Sequence, residues 1–209
     1  MDRPKLLALT EALEARKSQT NDTHVFPLTN FVRRLRAKMG PHAQIPFFDP
    51  WDGGTRAEAL FLLEAPGPKA RNSGFISMNN PDETAKNFFE ISREAKINRK
   101  KIVVWNVVPW YIGSGVRIRP ANSSDIEQGK ESLAELIDLL PLLRVIVLVG
   151  GKAQKAADHV HELAPHLRIF RCPHPSPMFV NRKPENRQIL LGRFREIQRY
   201  LGESVQYET

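Results

Sequence analysis

Five consecutive apolar residues, Ala59-Leu60-Phe61-Leu62-Leu63, constrain this chain more than any other feature. A run without polar alternation has no face to turn to water. It reads as a strand buried on both sides, the condition of a parallel sheet covered by helices. Ile102-Val103-Val104-Trp105, just after Lys101, and Val145-Ile146-Val147-Leu148-Val149 repeat the pattern, and a shorter run centres on Ile169. Helical signals fill the intervals. Pro81-Asp82-Glu83 opens a helix with Ala85, Phe88, Phe89 and Ala95 at helical spacing. Ser124-Asp125-Ile126-Glu127 reads as a capping box starting a helix that reaches Leu140. The turn Gly150-Gly151-Lys152 opens another, and Pro184 begins a last one that buries Ile189, Leu190, Phe194, Ile197 and Leu201. The order βαβαβαβ predicts an α/β fold: a three-layer α/β/α sandwich with a central four-stranded parallel sheet and right-handed crossovers.

Ahead of the first strand lie a short helix over 5–17 and a second helix capped by Thr29-Asn30 and stopped by Gly40-Pro41. Arg33, Arg34, Arg36 and Lys38 give the second helix a basic face, fit for phosphates or simply for water. A connector rich in Pro, Asp and Gly follows, and turn chemistry accounts for its Asp49 and Asp52. With 209 residues, 41% of them hydrophobic, the chain suits one domain: an amino-terminal helical extension and connector over 1–55 and a core over 56–203. No stretch approaches the roughly 20 apolar residues of a membrane span, and Met1-Asp2-Arg3-Pro4-Lys5 does not open a signal core, so cytoplasmic residence is expected. The single cysteine, Cys172, excludes an intrachain disulfide and any cluster or zinc site built from several cysteines. A net charge of +8 is compatible with a polyanionic partner.

In such a sheet the loops after the four strands converge on one edge. Here they offer Glu64 followed by Ala65-Pro66-Gly67-Pro68; Asn106; the Gly150-Gly151-Lys152 turn; and Pro173-His174-Pro175-Ser176-Pro177-Met178-Phe179-Val180-Asn181-Arg182. Phe75 lies between the first two. Three prolines stiffen the last loop around His174 and set two large apolar side chains ahead of an arginine. Together these groups suit a flat polar ring beside phosphates: an aromatic to stack, an amide to read an N–H/C=O edge, a histidine facing an oxygen that gains charge. Each has a plain alternative. Phe75 is also an ordinary core aromatic, Asn106 a bridge between strand ends, Glu64 a cap on a loop N–H, and Met178 and Phe179 local packing. His159 and His161, two apart on a helix, diverge and make a poor metal pair. Gly150-Gly151-Lys152 lacks the spacing of a nucleotide-binding P-loop.

The ordered set Glu64-Ala65-Pro66-Gly67, Gly74-Phe75-Ile76-Ser77, Asn106, Gly150-Gly151-Lys152-Ala153-Gln154-Lys155 and His174-Pro175-Ser176-Pro177 resembles the uracil-DNA glycosylase superfamily, over residues from about 59 to 200. The resemblance implies a DNA repair glycosylase, a monomer needing no metal and no cofactor, that flips uracil out of DNA and hydrolyses its N-glycosidic bond. It implies that Phe75 stacks on the base beside Ala65, Pro66 and Gly67, that Asn106 reads O4 and N3–H, and that His174 stabilises the departing anion at O2. Glu64 would position the water, with Asp82 and Asn80 in reserve. Met178 or Phe179, with Arg182, would fill the gap in the duplex, while Pro68, Gly151, Lys152 and Ser176 pinch the backbone. The chain departs from the family in two ways. Ala65 stands where many members have Asp or Asn, and the branch with the Glu-Ala-Pro-Gly motif carries four cluster-binding cysteines that this chain lacks. Gly67, where some members place an aromatic against the thymine methyl, leaves selectivity for uracil open. A protein that holds abasic or damaged sites without turnover, and a glycosylase for hypoxanthine or mispaired thymine, are the alternatives.

Overall fold

The computed structural model describes residues 1–40, 42–114 and 117–203. Four strands, β1 (Ala59–Leu63), β2 (Ile102–Asn106), β3 (Val145–Val149) and β4 (Arg168–Cys172), form one parallel sheet in the order β2-β1-β3-β4. The helices are α1 (Thr10–Ser18), α2 (Phe26–Met39), α3 (Pro68–Ser73), α4 (Glu83–Glu94), α5 (Ser123–Lys130), α6 (Leu133–Asp138), α7 (Ala157–Leu163), α8 (Pro177–Val180) and α9 (Pro184–Gly202). The expected α/β architecture with its four parallel strands is present.

Side chains alternate across the sheet, so adjacent residues report on its two faces. Phe61 of β1 packs against Phe88 of α4 and Phe194 of α9, with ring centroids 5.2 and 5.5 Å away, which puts those helices on one face. The next position in register pairs Leu62 with Trp105 on the opposite face. Trp105 stacks on Phe48 at 3.9 Å and meets Phe31 of α2 edge-on at 6.1 Å. Every residue of β2 and β3 is buried, which is why their sequences read as unbroken apolar runs.

Several local expectations shift. α2 starts at Phe26 rather than at Thr29, because Pro27 sits in its first turn, where a missing N–H costs nothing; the Thr29 hydroxyl instead donates to the Thr20 carbonyl. The capping box is Asn122/Asp125, two residues ahead of the Ser124/Glu127 pair, with the Asn122 side chain accepting from the Asp125 N–H and the Asp125 carboxylate from the Asn122 N–H. The helix expected to run to Leu140 breaks into α5 and α6 at a turn where Ser132 bonds the Gly129 carbonyl. Ile189 lies on the outer face of α9 and is exposed.

The amino-terminal 55 residues are part of the core. Val25, Leu28, Phe31 and Val32 join the apolar cluster of the sheet. Asp49 does make the expected turn contact, accepting the Trp51 N–H at 2.9 Å, but turn chemistry is only part of the role of Asp49 and Asp52: both are buried and ion-paired. Asp49 binds Arg16 and accepts from Arg99 Nη2 at 2.7 Å, and Asp52 accepts from Arg99 Nε at 2.7 Å. Ser77 also donates to Asp49, and Asn79 accepts from Arg99 Nη1 at 2.7 Å. Among the described residues no helix is long and apolar enough to cross a membrane.

Candidate active site

The strand order turns back at β1: β2 lies on one side of it, and β3, next in sequence, on the other. A crevice opens at the carboxyl ends of strands at such a reversal. Here it is a cavity of ≈ 480 Å³, lined by Glu64, Ala65, Pro66, Gly67 and Pro68 from the end of β1, Asn106 from the end of β2, and His174 from the loop after β4. Ile76, Ser77, Met78 and Asn80 form another wall, and Ile118, Arg119 and Pro120 a further one. Seven residues singled out from sequence thus meet around one space.

Asn106 is 5% exposed, pairs in register with Leu63, and its amide nitrogen Nδ2 has no hydrogen-bond partner among the described residues. A buried donor without a partner costs about 1–3 kcal/mol. The residue lines the cavity, which makes its amide a candidate donor to a ligand. The backbone around it is fixed: Val107 and Val108 N–H groups bond the Leu63 and Glu64 carbonyls at 2.8 and 2.9 Å.

His174 sits directly on Gly150. A Cβ at Gly150 would lie 3.1 Å from the His174 Cβ, and Gly150 has φ +86, so both space and backbone demand glycine. The loop carrying His174 is tied down by Asn87 Nδ2 donating to the Pro175 carbonyl (2.9 Å) and by Gly150 N–H and Gln154 Nε2 donating to the Cys172 carbonyl (2.8 and 3.1 Å). Burial pushes the imidazole below its ordinary 6.5, and the charge of nearby Glu64 pulls the other way.

Glu64 Oε1 accepts the Ala121 N–H at 2.6 Å, so one carboxylate oxygen does cap a loop amide. Of the reserves, Asn80 is committed at both ends of its amide, donating to the Phe75 carbonyl and accepting from Ser73. Asp82 caps α4 through the Ala85 N–H while bordering the cavity. Phe75 is 1% exposed and its side chain is not part of the cavity lining; Ile76 to Met78 form that wall. Trp110 and Tyr111 also lie outside the lining, and Arg71 packs over the Tyr111 ring at 4.9 Å.

The residues expected to grip DNA divide. Ser176 precedes the single turn of α8, and Met178 in that turn projects into solvent at 86% exposure, while Phe179 packs against the core. Arg182 and Gly151 are exposed. Lys152, assigned to phosphate, instead donates from Nζ to the Ala121 carbonyl at 2.8 Å. The basic face of α2 is similarly occupied: Arg34 pairs with Glu135 and Lys38 with Glu131.

Sequence reasoning missed the wall formed by Ile118, Arg119 and Pro120. It also missed the Arg16–Asp49–Arg99 group that holds Ser77 and Asn79 behind another wall. Among the described residues no three His, Cys, Asp or Glu side chains gather as a metal site.

Residues 50–198 match the family model described as the uracil DNA glycosylase superfamily. No curated protein matches the chain. The crystal structure of wild-type SMUG2 from Pedobacter heparinus is similar with a TM-score of 0.55 at 14% identity, covering 88% of this chain and 87% of that one. The solution structure of a Methanosarcina acetivorans protein, provisionally described as a uracil DNA glycosylase, gives a TM-score of 0.48 at 15% identity and covers 69% of this chain and 92% of that one.

Proposed function

Since the chain belongs to the uracil DNA glycosylase superfamily, and is by family a DNA glycosylase, we propose that it extrudes uracil from DNA and hydrolyses its N-glycosidic bond, leaving an abasic site. The observation that carries this reading is Asn106 in the cavity lining with a buried amide nitrogen that has no partner among the described residues. Its N–H groups suit the O4 acceptor of uracil, and the amide oxygen suits N3–H. Across the same cavity a neutral His174 donates to O2 as the C1′–N1 bond breaks and electrons move onto the ring. Water adds its oxygen to C1′ and keeps one proton as the new hydroxyl; its other proton passes, by way of solvent, to the departing base. Preorganised donors aimed at the developing charge do most of this work. Glu64, the expected water holder, gives Oε1 to the Ala121 amide and serves the cavity first as a support.

The test is a duplex oligonucleotide carrying one uracil, hypoxanthine or mispaired thymine, incubated in EDTA, then treated with alkali and run on a gel. Cleavage at uracil is expected. His174→Ala and Asn106→Ala should each lose on the order of 10²–10³ in kcat while still binding DNA. Full activity in both variants would overturn the assignment. Absence of cleavage at any base, with tight binding to abasic duplex, would make the protein a damage binder.

A further inference from the structure

The segment from the end of β2 to the start of α5 spans more than a dozen residues and carries one small hairpin, Gly113–Ser114 against Arg117–Ile118. Long connections without much regular structure are costly to order, and are kept where they serve a site. The last part of this one is pinned three times. Arg119 makes a two-pronged ion pair with Asp125, at 2.6 and 2.8 Å. The Ala121 N–H goes to Glu64 Oε1 at 2.6 Å, and the Ala121 carbonyl accepts from Lys152 Nζ at 2.8 Å. The backbone of one residue is thereby clamped between the end of β1 and the turn after β3. Ile118, Arg119 and Pro120, just ahead of the pinned Ala121, wall the cavity, and Ile118, 41% exposed, places an apolar side chain at that wall.

We infer that residues 118–121 form a preformed lip of the base cavity that receives the extruded nucleotide against Ile118, and that Glu64 and Lys152 are positioning residues acting through the Ala121 backbone. This rests on the glycosylase reading. A lip held in place before DNA arrives needs no ordering when the nucleotide enters, so releasing it weakens capture rather than chemistry. Both anchors hold one residue, so their effects are not independent.

Full-length variants assayed on uracil duplex separate this role from the two obvious rivals. Glu64→Ala and Lys152→Met should each raise KM by about tenfold, the effect of one charge-assisted hydrogen bond, with kcat changed little. The double variant should cost no more than the worse single. Glu64→Gln keeps an acceptor oxygen and should restore KM. Hydrogen exchange over residues 118–122 should quicken in Glu64→Ala and Lys152→Met and stay at the parent rate in Glu64→Gln. If Glu64 instead holds the attacking water, Glu64→Gln will lose kcat as heavily as Glu64→Ala. If Lys152 instead binds phosphate, Lys152→Met will lower the log–log salt slope of binding by about 1. Either outcome, or unaltered exchange, overturns the lip. A parent protein inactive on uracil would defeat the functional reading alone, because the exchange measurement needs no substrate.

Discussion

A buried imidazole held below 6.5 stays neutral through the physiological range, and a neutral ring still has one N–H to donate. The working form of His174 therefore survives mild acid. We expect kcat/KM to remain level as pH falls through 6.5 and to decline only below it. A profile that rises into acid would identify the imidazolium as the active form. Stability follows the same sign. The unfolded chain takes up the proton near 6.5 and the folded one does not, so this contribution is full above 6.5 and erodes as pH falls toward the folded value. The seat of the ring is a second residue-scale lever. In Gly150→Ala the new methyl meets the His174 Cβ at 3.1 Å, on a backbone of φ +86 that L-residues resist. Displacing a catalytic group by a fraction of an ångström costs about 10–100-fold in rate. We expect that loss in kcat for Gly150→Ala, with little change at Gly151→Ala, where an added Cβ meets nothing within 4 Å.

At the level of elements, the extension over 1–55 buttresses the site. Arg16, Asp49, Asp52 and Arg99 join α1, the connector and the approach to β2, and Ser77 and Asn79 carry that anchorage to the cavity wall. Burial alone would raise the Asp49 carboxyl, but Arg99 and Arg16 outweigh it and hold the group below its ordinary value. Asp49→Asn leaves two guanidiniums in the interior with half their partner. It should destabilise the fold by about 3–5 kcal/mol in urea unfolding; a loss under 1 kcal/mol would show that water has replaced the carboxylate. This group was illegible in the sequence because its members lie 33 and 50 positions apart and each alone resembles surface chemistry. β1 and β3 were legible because burial on two faces removes every polar residue, and β2 because it does so as far as Trp105; the edge strand β4, with Arg168 and Arg171 exposed, left only a shorter run. α4 was legible too, since Asp82 is a side-chain cap. The lip over 118–121 left no signal, because its anchor point is the Ala121 backbone, and any residue but proline supplies an N–H and a C=O together. Asn106 and His174 were legible as cavity residues because what they bring to the lining is side-chain chemistry rather than main chain.

Taken whole, the molecule opens its cavity at the place where the order of β2, β1 and β3 turns back. Net charge is +8, yet charge count overstates what is free to meet DNA: Lys152, Arg34 and Lys38 already have partners in the protein. Arg182 and Lys155 are exposed and outside the ion pairs of the described residues. The log of the DNA association constant should fall linearly with log salt, and Arg182→Ala should reduce that slope by about 1 while weakening uracil and undamaged duplex alike. An unchanged slope would remove Arg182 from the phosphate contacts. Arg34→Ala should leave the slope where it was.

Cys172 gives this architecture an internal clock. It is the chain's only thiol, fully buried at the end of β4, with burial pushing it up to about 12, and it stands two residues before His174. A thiol in that state reacts with a disulfide reagent only when β4 parts from its neighbours. The labelling rate under native conditions therefore times the opening of the very segment that presents the histidine. No probe has to be engineered into the protein, and no second cysteine blurs the reading. A ligand that settles in the cavity and steadies the loop should slow that clock in proportion to the occupancy of the site.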